Sequence, residues 1–151
     1  PAFNFEAEKE PVMGLSFIEK SVWIQLVGML VVLGGYFVVA GIMMANGVTA
    51  TQPYIPLFAV SVVLMTIVLV AGHTLAAVTG KPEGSDERDR LIGWRSEANA
   101  SWIVGVGVIL ATTGLVFGME RVWVAHLLLL SLFISETVKY TFQLVYYRRG
   151  F

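Results

Sequence analysis

Four predominantly apolar runs, each long enough to cross a lipid bilayer, dictate what this chain can become. Between Val22 and Ala45 every residue except Gln25 is apolar, aromatic or glycine. At roughly 1.5 Å per helical residue this run exceeds a hydrocarbon core of about 30 Å. Comparable runs extend from Tyr54 to Val78, from Ala98 to Gly118 and from Val122 to Tyr146. In lipid every backbone amide and carbonyl must be satisfied inside its own segment, which leaves helices as the solution for single runs of this length. The expected fold is therefore all-α: a four-transmembrane-helix bundle with short loops, forming one domain over residues 1–151.

Composition agrees with lipid as the solvent. The chain is 56% hydrophobic and 14% charged, against about 45–50% and 25% in soluble domains. Its ten Lys and Arg are scattered rather than gathered in a stripe, which argues against a nucleic-acid partner. The absence of cysteine excludes disulfides, thiolate metal sites and thiol nucleophiles. Residues 1 to 20 hold no apolar run of signal-peptide length, so the first run reads as a retained helix that directs insertion.

Orientation follows from the basic residues. Lys9, Lys20, Lys81, Arg88, Arg90, Arg95, Arg148 and Arg149 fall on one side and Arg121 on the other, which by the positive-inside rule places both termini in the cytoplasm of a bacterial inner membrane. Trp23, Tyr54, Trp94, Trp102, Trp123, Tyr146 and Tyr147 sit near the span ends, where amphipathic rings favour the headgroup zone. In the one sizeable charged loop, Ser85 to Arg90 reads as a helix start with a hydroxyl cap and an Asp86–Arg90 pair. Leu91, Trp94, Ala98 and Trp102 share one face of that helix, predicted to lie on the membrane surface or to continue the third span.

Glu136 and Lys139 carry the most information, because a charge at the bilayer centre costs about 2.5–3.5 kcal/mol on insertion scales and demands a partner. Their i,i+3 spacing sets them on one helical face, which Gln143 extends. Counted from the span ends, Lys139, Glu136 and His73 lie roughly 13, 18 and 12 Å deep, so they are expected to share one intramembrane polar layer. Gly28, Gly105, Gly107, Gly114 and Gly118 are candidate helix-packing positions, the last two with GxxxG spacing. Two readings fit the layer. Mutual neutralisation that fixes helix register is preferred; the other is a proton or ion path.

Other chemistry finds little support. His73 and His126 lie near opposite ends of their spans and cannot flank one haem iron, and no His pair or Glu-x-x-His has metal-binding spacing. No catalytic, metal or cofactor residue is expected, although a bound lipid or pigment stays open. One internal echo is visible: Trp23-Ile24-Gln25-Leu26-Val27-Gly28 against Trp102-Ile103-Val104-Gly105-Val106-Gly107.

Asp86-Glu87-Arg88-Asp89-Arg90-Leu91-Ile92, together with Ser135-Glu136-Thr137-Val138-Lys139 and the ending Gln143-Leu144-Val145-Tyr146-Tyr147-Arg148-Arg149-Gly150, resembles a family of small, uncharacterised four-span bacterial membrane proteins. The resemblance covers the second half of the chain and implies the fold, a bacterial source and a family role for Glu136 and Lys139, but no activity. The N-terminal arm, Pro1 to Ser16, has too little apolar area to fold alone. It is expected to dock on other membrane subunits through Phe3 and Phe5, the alternative being that the arm lies on lipid headgroups. The functional expectation is a non-catalytic accessory subunit of a larger bacterial membrane complex of respiratory or photosynthetic type. The alternatives are a small homo-oligomeric proton-coupled transporter or channel, and a membrane sensor reporting through Asp86 to Glu97.

Overall fold

The computed structural model describes residues 17–79 and 86–149, and these are helical almost throughout. In chain order the helices are α1 (Phe17–Ala45), α2 (Tyr54–Thr79), α3 (Glu87–Ala100), α4 (Trp102–Val116) and α5 (Arg121–Arg149). Ser101, between α3 and α4, keeps helical dihedrals of φ −60° and ψ −29°, so the two run on as one rod from Glu87 to Val116. The charged segment thus continues the third span instead of lying across the membrane surface. Counting this rod once, four helices are long and apolar enough to cross a membrane.

Helix ends follow local chemistry. The cap of α3 is Asp86, not Ser85, which lies outside the described residues. The Asp86 carboxylate accepts from the Asp89 amide (2.7 Å) and the Asp89 carboxylate from the Asp86 amide (3.0 Å), a reciprocal capping box. Arg90 lies over the Trp94 ring at 5.3 Å. At the opposite end of the molecule α1 and α4 stop in the same way, with a glycine in the left-handed region, Gly47 at φ 82° and Gly118 at φ 79°. After each glycine the next amide reaches back, Val48 to Met43 (3.1 Å) and Met119 to Gly114 (2.8 Å), closing the Schellman turn. Pro53 and Pro56 flank the first turn of α2, where a missing amide hydrogen leaves no carbonyl unserved.

The helices pack as an open row in the order α2, α1, α5, α4, with α3 also on α5. A closed bundle would bring α2 onto α4, but α2 packs extensively on α1 alone. Only 6% of its apolar window is buried, against 33% for α1. Three hydroxyls along α2 are satisfied within the helix itself. Ser61, Thr66 and Thr74 each donate to the carbonyl four residues back at 2.7–2.9 Å, which lets them face apolar surroundings without an unpaired group.

Small residues set the close contacts. A side chain at Gly107 would run into Ser131 of α5, one at Gly72 would strike Ile24 of α1, and one at Gly28 would come within 3.0 Å of Val68 on α2. Gly114 packs under Met119, the hydrophobic contact of its Schellman turn. A side chain at Gly105 or Gly118 would meet nothing within 4 Å: Gly105 faces away from α5, and Gly118 ends a helix instead of joining two. Gly72 was absent from the expected packing set. Gly28 and Gly107, which close the two echoed segments, occupy matching places, each at the seam of its own helical hairpin.

Candidate functional site

The expected polar layer is divided between two pairs of helices. On α5, Lys139 bonds closely to Glu136 one turn before it and reaches Glu97 of α3 at 3.4 Å. Its ammonium also stands 4.8 Å from the Tyr140 ring centroid. Lys139 is the most enclosed of the three, with 16% of its side chain exposed against 29% for Glu136 and 61% for Glu97. Two carboxylates share one ammonium, leaving a formal charge of −1. Gln143 is half-buried one turn further on. Glu97 was missing from the expected layer.

His73 belongs to the other seam. Its Nδ1 faces the Leu69 carbonyl at 2.7 Å, and because a carbonyl can only accept, the neutral ring carries its hydrogen there. Nε2 then accepts from Ser21 Oγ (2.7 Å), while the Gln25 amide lies 3.4 Å from both. Gln25, the one polar residue in the first apolar run, thus helps fasten α1 to α2. His73 shares none of these contacts with Glu136 or Lys139, because its end of α2 packs on α1, whereas α2 meets α5 through Tyr54 at its other end.

His126 forms a third polar point at the opposite end. Its Nδ1 faces the Val122 carbonyl (2.8 Å), so Nε2 accepts from the buried Tyr36 hydroxyl at 2.9 Å. The Tyr36 ring stacks on the imidazole at 5.7 Å, and Tyr54 meets it edge-on at 4.7 Å while donating to the Val48 carbonyl at 2.8 Å. Three helices therefore converge on one imidazole. Tyr36 and Tyr54, with Ala40 and Val122, make the larger of the buried apolar clusters.

At the basic end, α5 clamps its neighbours. Tyr147 donates to the Asp89 carboxylate and the Asn99 amide donates to Tyr146, both at 2.8 Å. Arg148 lies 3.8 Å from Glu19 and over the Trp23 ring at 5.8 Å. Ser135 donates to the Ala100 carbonyl at 3.0 Å. The α3 residues turned inward are Ile92, Ser96 and Ala100, whereas Leu91, Trp94 and Trp102 face outward. Ser96 Oγ is buried with no hydrogen-bond partner among the described residues.

Between the polar points lies a groove of about 470 Å³ walled by α1, α2 and α5. Its lining residues are apolar or aromatic except for Thr66 and Glu136. A second hollow of about 430 Å³ continues it past Tyr36 and Phe58 toward His126 and Tyr54. Among the described residues no group of three or more His, Asp or Glu converges as metal ligands do. Phe3 and Phe5 of the expected docking arm lie outside the described residues. No protein-family model, curated protein or solved structure matches this chain.

Proposed function

We propose that this chain is a multi-pass protein of a bacterial cytoplasmic membrane, with both ends inside, that serves as a non-catalytic accessory subunit of a larger membrane assembly. The observation that carries the reading is the open row of helices. In lipid no hydrophobic force drives a bundle to close, so helices associate where small residues and polar groups permit it. Here α2 is fastened along one side only and α4 forms the opposite edge, a shape that neighbouring helices of an assembly complete. The polar groups support the same reading. The ring nitrogens of both histidines and the Lys139 ammonium are spent on contacts between or within helices, which suits a framework role. The positive-inside asymmetry and the resemblance in the second half of the chain support the bacterial membrane and the orientation.

The test is affinity purification of the full chain from its native membrane in a mild detergent. Other membrane subunits are expected to co-purify in fixed ratio. Recovery of the chain alone, or only as copies of itself, would overturn the reading.

A further inference from the structure

We propose that the groove walled by α1, α2 and α5 binds an amphiphilic organic cation, its ammonium or phosphonium centre beside Glu136 and its apolar body along α2 toward Phe58. The site requires neither a partner subunit nor transport. Three observations converge on it. The first is size, since about 470 Å³ lies within the range of small-molecule sites. The second is charge: Glu136 is the one acidic residue among those lining the groove, none of which is basic, and it belongs to a cluster in which two carboxylates share one ammonium. Glu97, outside the groove, offsets the Lys139 ammonium, so Glu136 beside its apolar and aromatic neighbours keeps a net attraction for a cation that is stronger than the same carboxylate would exert in water.

The third observation is the company the carboxylate keeps. Phe133 lies one helical turn before Glu136 and packs on Phe37 with ring centroids 5.4 Å apart, and both rings line the groove. Aromatic faces beside a carboxylate are the combination that recognises a poorly hydrated organic cation, through ring quadrupole and charge together. A small metal ion finds too few oxygens here, and an anion meets the wrong sign. Beyond the rings, Val62, Met65 and Leu69 offer an apolar wall and no competing polar group.

Binding of tetraphenylphosphonium to the purified full chain in phosphatidylcholine nanodiscs tests the site, with protein-free nanodiscs as background. Saturable binding of one cation per chain is expected, weakened at least tenfold by Glu136→Gln. Val62→Trp, which fills the groove away from the ion pair, should abolish it. Tetraphenylborate, of the same shape and opposite charge, should compete at least tenfold less well. Equal competition by tetraphenylborate would show an apolar hollow that any lipid chain fills and would overturn the proposal. So would wild-type affinity in Glu136→Gln or the absence of saturable binding. Should Glu136→Gln fail to fold, the groove-filling variant and the borate comparison decide the matter.

Discussion

Gly105 and Gly107 stand two residues apart on α4, and alanine at each should shift stability in opposite directions. A methyl group at Gly107 overlaps the buried Ser131 side chain, so α4 and α5 must separate. Overpacking of this kind costs about 1–3 kcal/mol. A gap of even 0.5–1 Å forfeits roughly a quarter to a half of each dispersion contact along the seam, and it stretches the 3.0 Å bond from Ser135 to the Ala100 carbonyl. Replacing glycine inside a helix returns up to about 1 kcal/mol, less if the helices persist in the unfolded state. Gly107→Ala should therefore lose about 1–2 kcal/mol. Gly105→Ala meets nothing within 4 Å and should be neutral or more stable by up to about 1 kcal/mol. Unfolding from dodecyl maltoside into sodium dodecyl sulfate, followed by tryptophan fluorescence, measures both. Moving the methyl across the seam, Gly107→Ala with Ser131→Gly, should recover most of the loss. Equal stability of the two alanine variants, or no recovery in the exchange, would refute the close approach of α4 to α5.

Lys139→Met leaves two carboxylates facing each other. Breaking a fully buried pair costs about 3–5 kcal/mol, and the exposure of Glu97 and Glu136 reduces the expectation here to about 2 kcal/mol. Adding Glu136→Gln should restore part of that loss in the same unfolding assay, and simple additivity would show the pair to be uncoupled. Ser96→Ala removes a buried hydroxyl that has no partner among the described residues, so stability should hold or rise by up to about 1 kcal/mol; a loss larger than that would reveal a bond to the hydroxyl. For orientation, a cysteine at the exposed Asn46 should react with an impermeant thiol reagent on intact spheroplasts, whereas one at Arg88 should not. The opposite pattern would invert the topology.

The extent of the four spans was legible in hydropathy, because lipid imposes a length on any run that crosses it. Their ends on the side rich in Lys and Arg were less so. α1 begins at Phe17 and α5 ends at Arg149, since a helix does not stop where its residues become charged. The same continuity hid Glu97. With the third span expected to start at Ala98, Glu97 read as loop, yet the rod carries it to within 3.4 Å of Lys139. Counting residues gave depth but not azimuth. By that count His73 and Lys139 lie at similar depths, and it is the order of helices in the row that sends them to different partners. Gly105 and Gly107 differ in the same respect: at roughly 100° per residue they point to nearly opposite faces, and one sequence does not reveal which face meets α5. Tyr36 was hidden among apolar neighbours, although an intramembrane histidine signals that some partner must exist.

The order of the row also has a mechanical consequence. α1 and α2 are riveted by His73 with Ser21 and Gln25. α5 is riveted to the long rod by Tyr147 with Asp89, Asn99 with Tyr146, Lys139 with Glu97 and Ser135 with Ala100. The molecule thus consists of two stiff planks laid edge to edge. Among the described residues, polar fastenings between the planks stand at the extremities of their shared edge, Tyr36 with His126 at one end and Glu19 with Arg148 at the other. Between those fastenings the contact is apolar and adjoins the groove. A slight roll of one plank against the other would change the width of that groove while leaving every helix intact, as a book opens along its spine without bending its covers.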